Sequence, residues 1–315
     1  MHETTAKRDG REMAASIDVL CVGMASYDLI FRVDRPLTED DKSAASSLTQ
    51  SGGGPAASAS IAVSRLGLAS AFAGYLGTDP FGDYLLNDFV TANVNIDLLV
   101  RGPAPTSISA VFVTPSGKRS LVNYRAPEPI PAGVLDVSNV CAKVILFDGH
   151  EPEISIPLLE HADAWKADTV LDAGSVHEGT RKLADRVDYL VASQKFALDF
   201  TGESNLDDAL VALTRHAPSV VVTVGERGLY WYHENQSGRL PAFRVDAVDT
   251  TGAGDAFHGA FAACLAMKWD WKTTLKFSSA AAAISCTQLG GRPGLPTQQD
   301  VQSFLSEHEP LDVQA

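Results

Sequence analysis

The chain has 315 residues, of which 45% are apolar, and it carries a formal net charge of −14 at neutral pH. This length and apolar content suffice for a folded domain with a substantial core. The acidic balance argues against a nucleic-acid partner, which requires a basic face, and the absence of any apolar run near ~20 residues argues against a membrane span.

The amino-terminal segment, residues 1–15, is polar and mixed in charge, which predicts a disordered tail and not a secretory signal. The remainder, residues 16–310, is predicted to form one domain. Four cysteines lack any metal-ligand spacing: Cys21, Cys141, Cys264 and Cys286. Because reduced, mostly buried thiols are typical of a reducing compartment, we expect a cytoplasmic protein.

Strands and helices alternate from residue 17 onward. The apolar runs 17–22 and 69–75 predict strands, and the Ala-rich run 56–66 between them predicts a helix. Further strands are predicted at 143–147, 169–172, 189–192 and 219–224. This alternation is typical of βαβ units on a mainly parallel sheet, which places the chain in the α/β class.

Two regions break the alternation, about 27–50 and about 107–125. Each contains two short strand-like runs joined by turn residues, which predicts a small separate antiparallel sheet. Such strands cannot easily join a parallel sheet, so we expect them to form a lid over its carboxyl edge, where ligands of open α/β sheets bind. An ordinary edge hairpin is the alternative.

A run of glycines, Gly52-Gly53-Gly54, precedes the first predicted helix. Three glycines exceed the needs of a turn, and backbone without side chains suits a ligand rich in hydroxyl groups, so Gly53 and Gly54 are candidate substrate-binding residues. Asp28 follows the first strand, where its carboxylate could accept two hydroxyls. A flexible loop and a solvated aspartate are the alternatives.

Polar residues of the predicted lid are further candidates. Asn123 is a weaker candidate for binding the same hydroxyls as Asp28. Lys118, Arg119 and Arg125 could form a positive rim over a transferring phosphoryl group or over an anionic part of the substrate. Solvated surface charges are the alternative for these three cations.

The most informative segment runs from Asp249 to Gly259 and places small residues before an Ala-rich helix. The first amides of that helix have no intrahelical partners, so Gly252, Ala253 and Gly254 are expected to approach a phosphate closely. Asp255 cannot be a phosphate ligand, because like charges repel, and is interpreted as an ionised base for an attacking hydroxyl. The alternative is a helix start with its caps only.

The two glycine segments lie about 200 residues apart and resemble the two signatures of the ribokinase (pfkB-type) family of carbohydrate kinases. Arg65-Leu66-Gly67 also matches the end of the first signature, and the resemblance covers about residues 17 to 305. It implies a ribokinase-like three-layer sandwich with a β-sheet lid, and transfer of the γ-phosphoryl group of ATP to a primary sugar hydroxyl. It also implies a homodimer through the lid, for which Val111 and Val113 are the predicted contacts.

The same resemblance implies where the nucleotide binds. Thr223, Gly225 and Gly228 follow a predicted strand and correspond to a loop on the ATP side. A plain β-turn between strands is the alternative. On the adenine side the resemblance implies three residues: Ser285, Gln288 and Gly290.

The cations implied by the resemblance are Mg²⁺ and, in many family members, a monovalent ion such as K⁺. Asp249 and Thr251 correspond to the residues that hold the monovalent ion. Where the family commonly has Asn-x-x-Glu for the Mg²⁺ waters, this chain has Ser193 and Phe196, so the protein ligands of Mg²⁺ are left unnamed.

The substrate stays open among sulfofructose, a ketohexose or its phosphate, and ribose-like sugars. Asn123-Tyr124 and the run 291–296 look most like the sulfofructose kinase branch, but residues 147–150 lack the arginine expected there for a sulfonate. A nucleoside kinase is a more distant alternative. A non-catalytic sugar- or nucleotide-binding regulator on the same fold is another, which the retention of Asp255 disfavours.

Overall fold

The computed structural model describes residues 15–40, 42–117, 119–125, 130–138 and 140–308. The predicted tail lies outside these ranges apart from Ala15, which begins the first strand, and Lys118 and residues 309–310 lie outside them as well. Within the described ranges, no helix is both long and apolar enough to cross a bilayer.

The strands, in chain order, are β1 (Ala15–Val22), β2 (Ser26–Val33), β3 (Ala45–Gly53), β4 (Ser70–Gly77), β5 (Leu99–Gly102), β6 (Ser107–Val113), β7 (Arg119–Tyr124), β8 (Val140–Phe147), β9 (Asp168–Ala173), β10 (Tyr189–Ser193), β11 (Ser219–Thr223), β12 (Leu229–His233) and β13 (Gln236–Leu240). The helices are α1 (Pro55–Arg65), α2 (Pro80–Thr91), α3 (Pro152–Trp165), α4 (Glu178–Leu183), α5 (Gln194–Thr201), α6 (Leu206–Leu213), α7 (Ala253–Ala266), α8 (Trp271–Ser285) and α9 (Gln298–Glu307). Every predicted strand is present, and β5, β12 and β13 are additional.

The main sheet has nine strands in the order β13-β12-β11-β10-β9-β8-β1-β4-β5. Its strands run parallel except for β12 and β13, which pair antiparallel at one edge. The chain leaves β1 towards β4 and returns on the other side of β1 as β8, so the connections diverge between β1 and β8. Ligands of open parallel sheets bind above the carboxyl ends of strands at such a point.

Helices cover both faces of this sheet, which confirms the three-layer prediction. Helices α1, α2, α7, α8 and α9 contribute to one apolar core, and α3 to α6 contribute to the other. Strand β1 serves both cores by alternation, since Val19 and Cys21 belong to the first core and Leu20 and Val22 to the second. Burial on both faces explains why the central strands are continuous apolar runs.

The lid is a separate four-stranded sheet in the order β3-β2-β6-β7. The pairs β2–β3 and β6–β7 are antiparallel hairpins, but β2 and β6 run parallel to each other. The prediction of a wholly antiparallel sheet is therefore wrong at this central pair. The physical reason is that both hairpins leave the carboxyl edge of the main sheet, so their first strands point in the same direction.

The inner face of the lid packs on the body of the protein. Val111 and Val113 are fully buried there in a small cluster with Ile30 and Leu289. Their prediction as dimer contacts is wrong, because alternation along β6 turns both of them inward. Apolar side chains that are exposed on the lid belong to other positions, such as Leu48 and Val122.

Candidate functional site

Helix α7 begins at the centre of the carboxyl edge with two glycines in different roles. Gly252, at the amino end of the helix, has φ of 75°, and a Cβ there would lie 2.7 Å from the Cα of Gly291. Gly254 has open space, with nothing within 4 Å of where its Cβ would be. Gly252 is therefore required by the backbone, whereas Gly254 leaves the helix start, with the amides of its first turn, accessible to a ligand.

Asp255 lies in the first turn of α7 and is partly exposed to the crevice. Burial and the charge of Asp172 raise the pKa of Asp255 to about 7, although His258 and Arg119 act in the opposite direction. The helix start alone predicted a fully ionised carboxylate; burial of the carboxyl beside another acid is what outweighs the helix dipole. A carboxylate with this pKa is a stronger base than an ordinary aspartate.

Asp28 is buried on the inner face of the lid. It accepts a hydrogen bond from the Ser26 hydroxyl at 2.8 Å, and it lies opposite Ser109, which in turn lies opposite Asn123. Residues directly opposite in paired strands point to the same side, so these polar side chains form one row. Burial raises the pKa of Asp28, against the hydroxyls of Ser26 and Ser109 and the charges of Arg292 and Arg119.

The glycine run before α1 is the end of strand β3 and not a loop. Strand β3 extends through Gly53, and a Cβ on Gly53 would collide with the carboxylate of Asp28. Gly54 has φ of 90°, and a Cβ there would lie 2.7 Å from the Cα of Ala25. The sequence thus places bare backbone directly against Asp28, which brings these three candidate residues together.

Arg292 is a buried cation that the sequence reasoning did not select. Its Nη2 donates to the carbonyl of Gly53 at 2.9 Å, and its Nη1 pairs with the carboxylate of Asp88. The guanidinium also lies over the ring of Phe89, 5.5 Å from its centroid. The available signal was an arginine set between Gly291 and Pro293, in a run of turn residues that fixes the backbone around it.

The lid cations lie in two places. Arg119 is close enough to Asp28 and Asp255 for its charge to lower the pKa of both carboxyls. Arg125 instead points along the sheet edge to His150, with Nη1 2.9 Å from Nδ1 of the ring. Lys118 is outside the part of the chain that the structure describes.

Arg125 and His150 belong to a cavity of about 520 Å³, which Ala25 and Ser107 also line. The ring of His150 stacks on that of His177, with centroids 4.4 Å apart, and Glu151 lies on the same wall. Burial and the charge of Arg125 lower the pKa of His150 to about 3. Burial and, to a smaller extent, the neighbouring His150 lower the pKa of His177 to about 4. The cavity thus offers one permanent cation and two neutral rings that can donate, beside Glu151, whose pKa burial raises to about 7.

A second cavity, also of about 520 Å³, opens at the start of α7. Thr223, Gly225 and Gly228 line it, together with Ala253 and Gly254. Its remaining walls are mainly apolar and include Phe243, Val245, Phe257, Ala282 and Ala283. A flat apolar slot that ends at helix amides suits a nucleotide, with its base at one end and its phosphates at the other.

The structure places Ser285, Gln288 and Gly290 outside this second cavity. The hydroxyl of Ser285 donates to the carbonyl of Ala282 inside the helix, Gln288 is exposed, and the amide of Gly290 donates to Asp249. The side chains of α8 that do line the cavity recur at helical spacing: Ser279, Ala282, Ala283 and Cys286. That periodicity was the signal that could have found them.

Asp249 is buried just before α7. Its carboxylate accepts from the amide of Thr251 at 2.9 Å, from the hydroxyl of Thr251 at 2.7 Å and from the amide of Gly290 at 2.9 Å.

At the positions of the Asn-x-x-Glu motif, Phe196 is fully buried and Ser193 caps α5, so neither replaces the carboxylate of that motif. Across the described ranges no three His, Cys, Asp or Glu residues form a cluster that could hold a metal ion.

Comparison with known proteins gives a consistent result. Residues 16–298 match the model of the pfkB family of carbohydrate kinases. The chain is 26% identical to a ribokinase of Bacillus subtilis over 294 residues, which covers 92% of this chain and 99% of that protein. It is 27% identical to fructokinase-2 of Zea mays over 308 residues, with 83% and 89% covered.

Solved structures agree in fold. A ribokinase from Thermotoga maritima superposes with a TM-score of 0.80 at 25% identity, covering 92% of this chain and 99% of that one. A fructokinase from Xylella fastidiosa, solved with bound ATP, superposes with a TM-score of 0.75 at 26% identity, covering 93% and 98%.

Proposed function

Because this chain belongs to the pfkB family of carbohydrate kinases, and is therefore a phosphotransferase with an alcohol group as acceptor, we propose that Asp255 is its catalytic base. Asp255 accepts the proton of a primary sugar hydroxyl while that oxygen attacks the γ-phosphorus of ATP. The O–H bond and the bond between the γ-phosphorus and the bridging oxygen break, a sugar O–P bond forms, and ADP leaves. The observation that carries this proposal is the position of a half-buried carboxylate beside an open helix start.

The helix start supplies the second part of the mechanism. Helix α7 starts beside open space at Gly254, and we expect the amides of Gly252 and Gly254 to face this space, since the Ala253 amide donates to the Thr250 carbonyl at 3.3 Å. Charge that spreads over the phosphoryl oxygens during transfer is stabilised by such fixed donors, which need no reorganisation. A protein that only binds a sugar or a nucleotide needs no base at this place, which disfavours a regulatory role.

The nucleotide binds in the cavity lined by Thr223, Gly225 and Gly228, with its phosphates towards Gly254. Mg²⁺ would neutralise charge on the phosphates and would be held mainly by phosphate and water oxygens. We also propose a monovalent cation such as K⁺ beside Asp249 and Thr251. A buried carboxylate with a neighbouring hydroxyl is an oxygen donor set that suits such an ion.

Asp28 should bind sugar hydroxyls and not phosphate. We expect Asp28→Ala to raise the KM for sugar by about 10- to 100-fold, the effect of losing ~1.5–3 kcal/mol of charge-assisted hydrogen bonding. The KM for ATP should change little. Asp34→Ala removes the same charge from an exposed part of the lid and serves as the control. Steady-state kinetics with each substrate varied separately would refute the assignment if both KM values rose together.

For the substrate, we propose a sugar that carries an anionic group at the end away from the reacting hydroxyl, such as a sulfonate or a phosphate. The cavity around Arg125, His150 and His177 supports this choice, because a guanidinium and two donor-capable rings recognise an oxyanion. No arginine occurs in residues 147–150, and Arg125 reaches the same place from the lid. A neutral ketohexose or a ribose-like sugar is the alternative.

Arg125→Gln tests this choice. It should raise the KM of an anionic ketose by a factor that corresponds to ~1.5–3 kcal/mol, about 10- to 100-fold, and should hardly affect its neutral counterpart. Arg215→Gln, at an exposed position between α6 and the amino end of β11, is the matched control. Equal responses of the two sugars would show that Arg125 is only a surface charge.

The homodimer remains our proposal, with a corrected surface. Alternation along the strands turns Leu29, Phe31, Leu48, Phe112 and Val122 to the outer face of the lid, and the rings of Phe31 and Phe112 stack there at 5.4 Å. A second copy of the chain would cover this apolar sheet face.

A further inference from the structure

His258 lies one turn below Asp255 on α7 and is buried. Its Nδ1 is 2.6 Å from the carbonyl oxygen of Gly254, and its Nε2 is 3.2 Å from the carbonyl oxygen of Val191 in β10. Nδ1 also lies 3.2 Å from a carboxylate oxygen of Asp172, at the end of β9. Acceptors therefore face both ring nitrogens.

This geometry fixes the number of protons on the ring. A carbonyl oxygen can accept a hydrogen bond but cannot donate one, so each ring nitrogen that faces a carbonyl must carry a hydrogen. A ring with a hydrogen on both nitrogens is a positively charged imidazolium. Burial is the largest influence on His258 and leaves its pKa below the usual value, although the Val191 carbonyl, Asp255 and the Gly254 carbonyl act to raise it. A neutral ring would leave one nitrogen lone pair against a carbonyl lone pair, which is costly in a buried site.

Asp172 supplies the counter-charge. Burial and the charge of Asp148 raise the pKa of Asp172, so a carboxylate there needs a positive partner. Asp148 itself is satisfied by three backbone amides, those of Met24, Ala56 and His150, and has no capacity to assist Asp172. The ring of His258 at 3.2 Å is such a partner, and the pair together is neutral.

We propose that His258 and Asp172 form a buried, oppositely charged pair that sets the proton affinity of Asp255, with His258 lowering it and Asp172 raising it. The proposal rests on the proposed role of Asp255 as the base. The other charged groups that act on Asp255 are Arg119 of the lid, which lowers its pKa, and Asp28, which raises it. His258 and Asp172 are both buried and line neither of the two cavities, so we assign them as positioning residues.

The two partners have opposite effects, which makes the proposal testable. In the wild type, kcat/KM should fall tenfold per pH unit below the pKa of Asp255, about 7, because a protonated base is inactive. This falling part of the pH profile is its acidic limb. His258→Asn keeps a donor for Gly254 but removes the positive charge, and should move this acidic limb up by about one pH unit. Asp172→Asn should move it down by a similar amount, and His258→Asn should regain activity at higher pH.

A purely structural role would lower kcat at every pH without moving the limb, and that outcome overturns the proposal. The control is His161→Asn, an exposed histidine on α3 whose loss should leave the limb in place. If Asp172→Asn does not fold, the positive charge of His258 is tested directly on its imidazole ring. Imidazole ¹⁵N spectra of the wild type at pH 7 should show both nitrogens of His258 protonated, and a neutral ring contradicts the proposal.

The carboxyl titration of Asp255, followed by ¹³C NMR in the ligand-free protein, separates this inference from the proposed function. It should shift upward in His258→Asn whether or not Asp255 is the base. If Asp255→Asn retains activity while the titration of Asp255 shifts in His258→Asn, Asp255 is not the base, but the effect of the charged pair on Asp255 is supported. If the titration is the same in His258→Asn and wild type, the pair does not act on Asp255.

Discussion

Asp255→Asn should reduce kcat by about 10²- to 10⁴-fold, the effect typical of removing a general base. The amide has the same shape as the carboxyl and cannot accept the proton of the sugar hydroxyl. Sugar and ATP affinities should stay within a few-fold of wild type, because neither ligand depends on the charge of Asp255 for its other contacts. Single-turnover kinetics and direct binding of both ligands measure these two effects separately.

The substitution Asp255→Asn should not lower the stability of the fold. Asp255 is partly exposed, and replacement by asparagine removes a carboxyl whose burial beside Asp172 raises its pKa. We therefore expect unchanged or slightly increased thermal stability at pH 8. Activity within tenfold of wild type would remove Asp255 from the mechanism.

Gly254→Val should lower kcat by roughly 10²-fold or more without unfolding the protein, comparable to the loss of one anion-stabilising donor. Its Cβ would meet no atom of the chain, so the new side chain enters the space where we propose the γ-phosphoryl group to lie. Thermal unfolding and turnover should thus respond very differently. The same substitution at Gly252 is the matched control.

Gly252→Val should mainly destabilise the fold. At φ of 75° a β-branched residue is strained by roughly 1–3 kcal/mol, and its Cβ would press on Gly291. A Gly254→Val protein that unfolds as readily as Gly252→Val would mean that both glycines serve the backbone alone. Full activity of Gly254→Val would place the phosphoryl group elsewhere.

The architecture was largely predictable because apolar runs and turn residues report local structure. The central strands are buried on both faces, and their sequences are correspondingly uniform. Strands β12 and β13 were missed, since the edge hairpin mixes aromatic and polar residues and lacks a buried run. The parallel pairing of β2 with β6 was missed for another reason: strand direction depends on where two hairpins leave the main sheet, which no local pattern contains.

The candidate site could be proposed from the sequence where a particular residue type stands at a recognisable position in the chain. Asp255 and the glycines before it, and Asp28 beside Gly53, follow from such local chemistry. Arg292 and His258 were missed because their partners, Gly53 and Val191, lie far away in sequence. Ser285, Gln288 and Gly290 were placed on the adenine side by resemblance, and the rotation of α8 turns other side chains to the cavity.

The loop that follows α8 has a consequence for how two bound ligands influence each other. The amide of its Gly290 donates a hydrogen bond to Asp249, its Gly291 packs on Gly252, and its Arg292 donates a hydrogen bond to the carbonyl of Gly53. One short segment therefore contacts the start of α7 as well as the end of β3 beside Asp28. A nucleotide and a sugar that both favour one position of this segment would each raise the affinity for the other by the same factor.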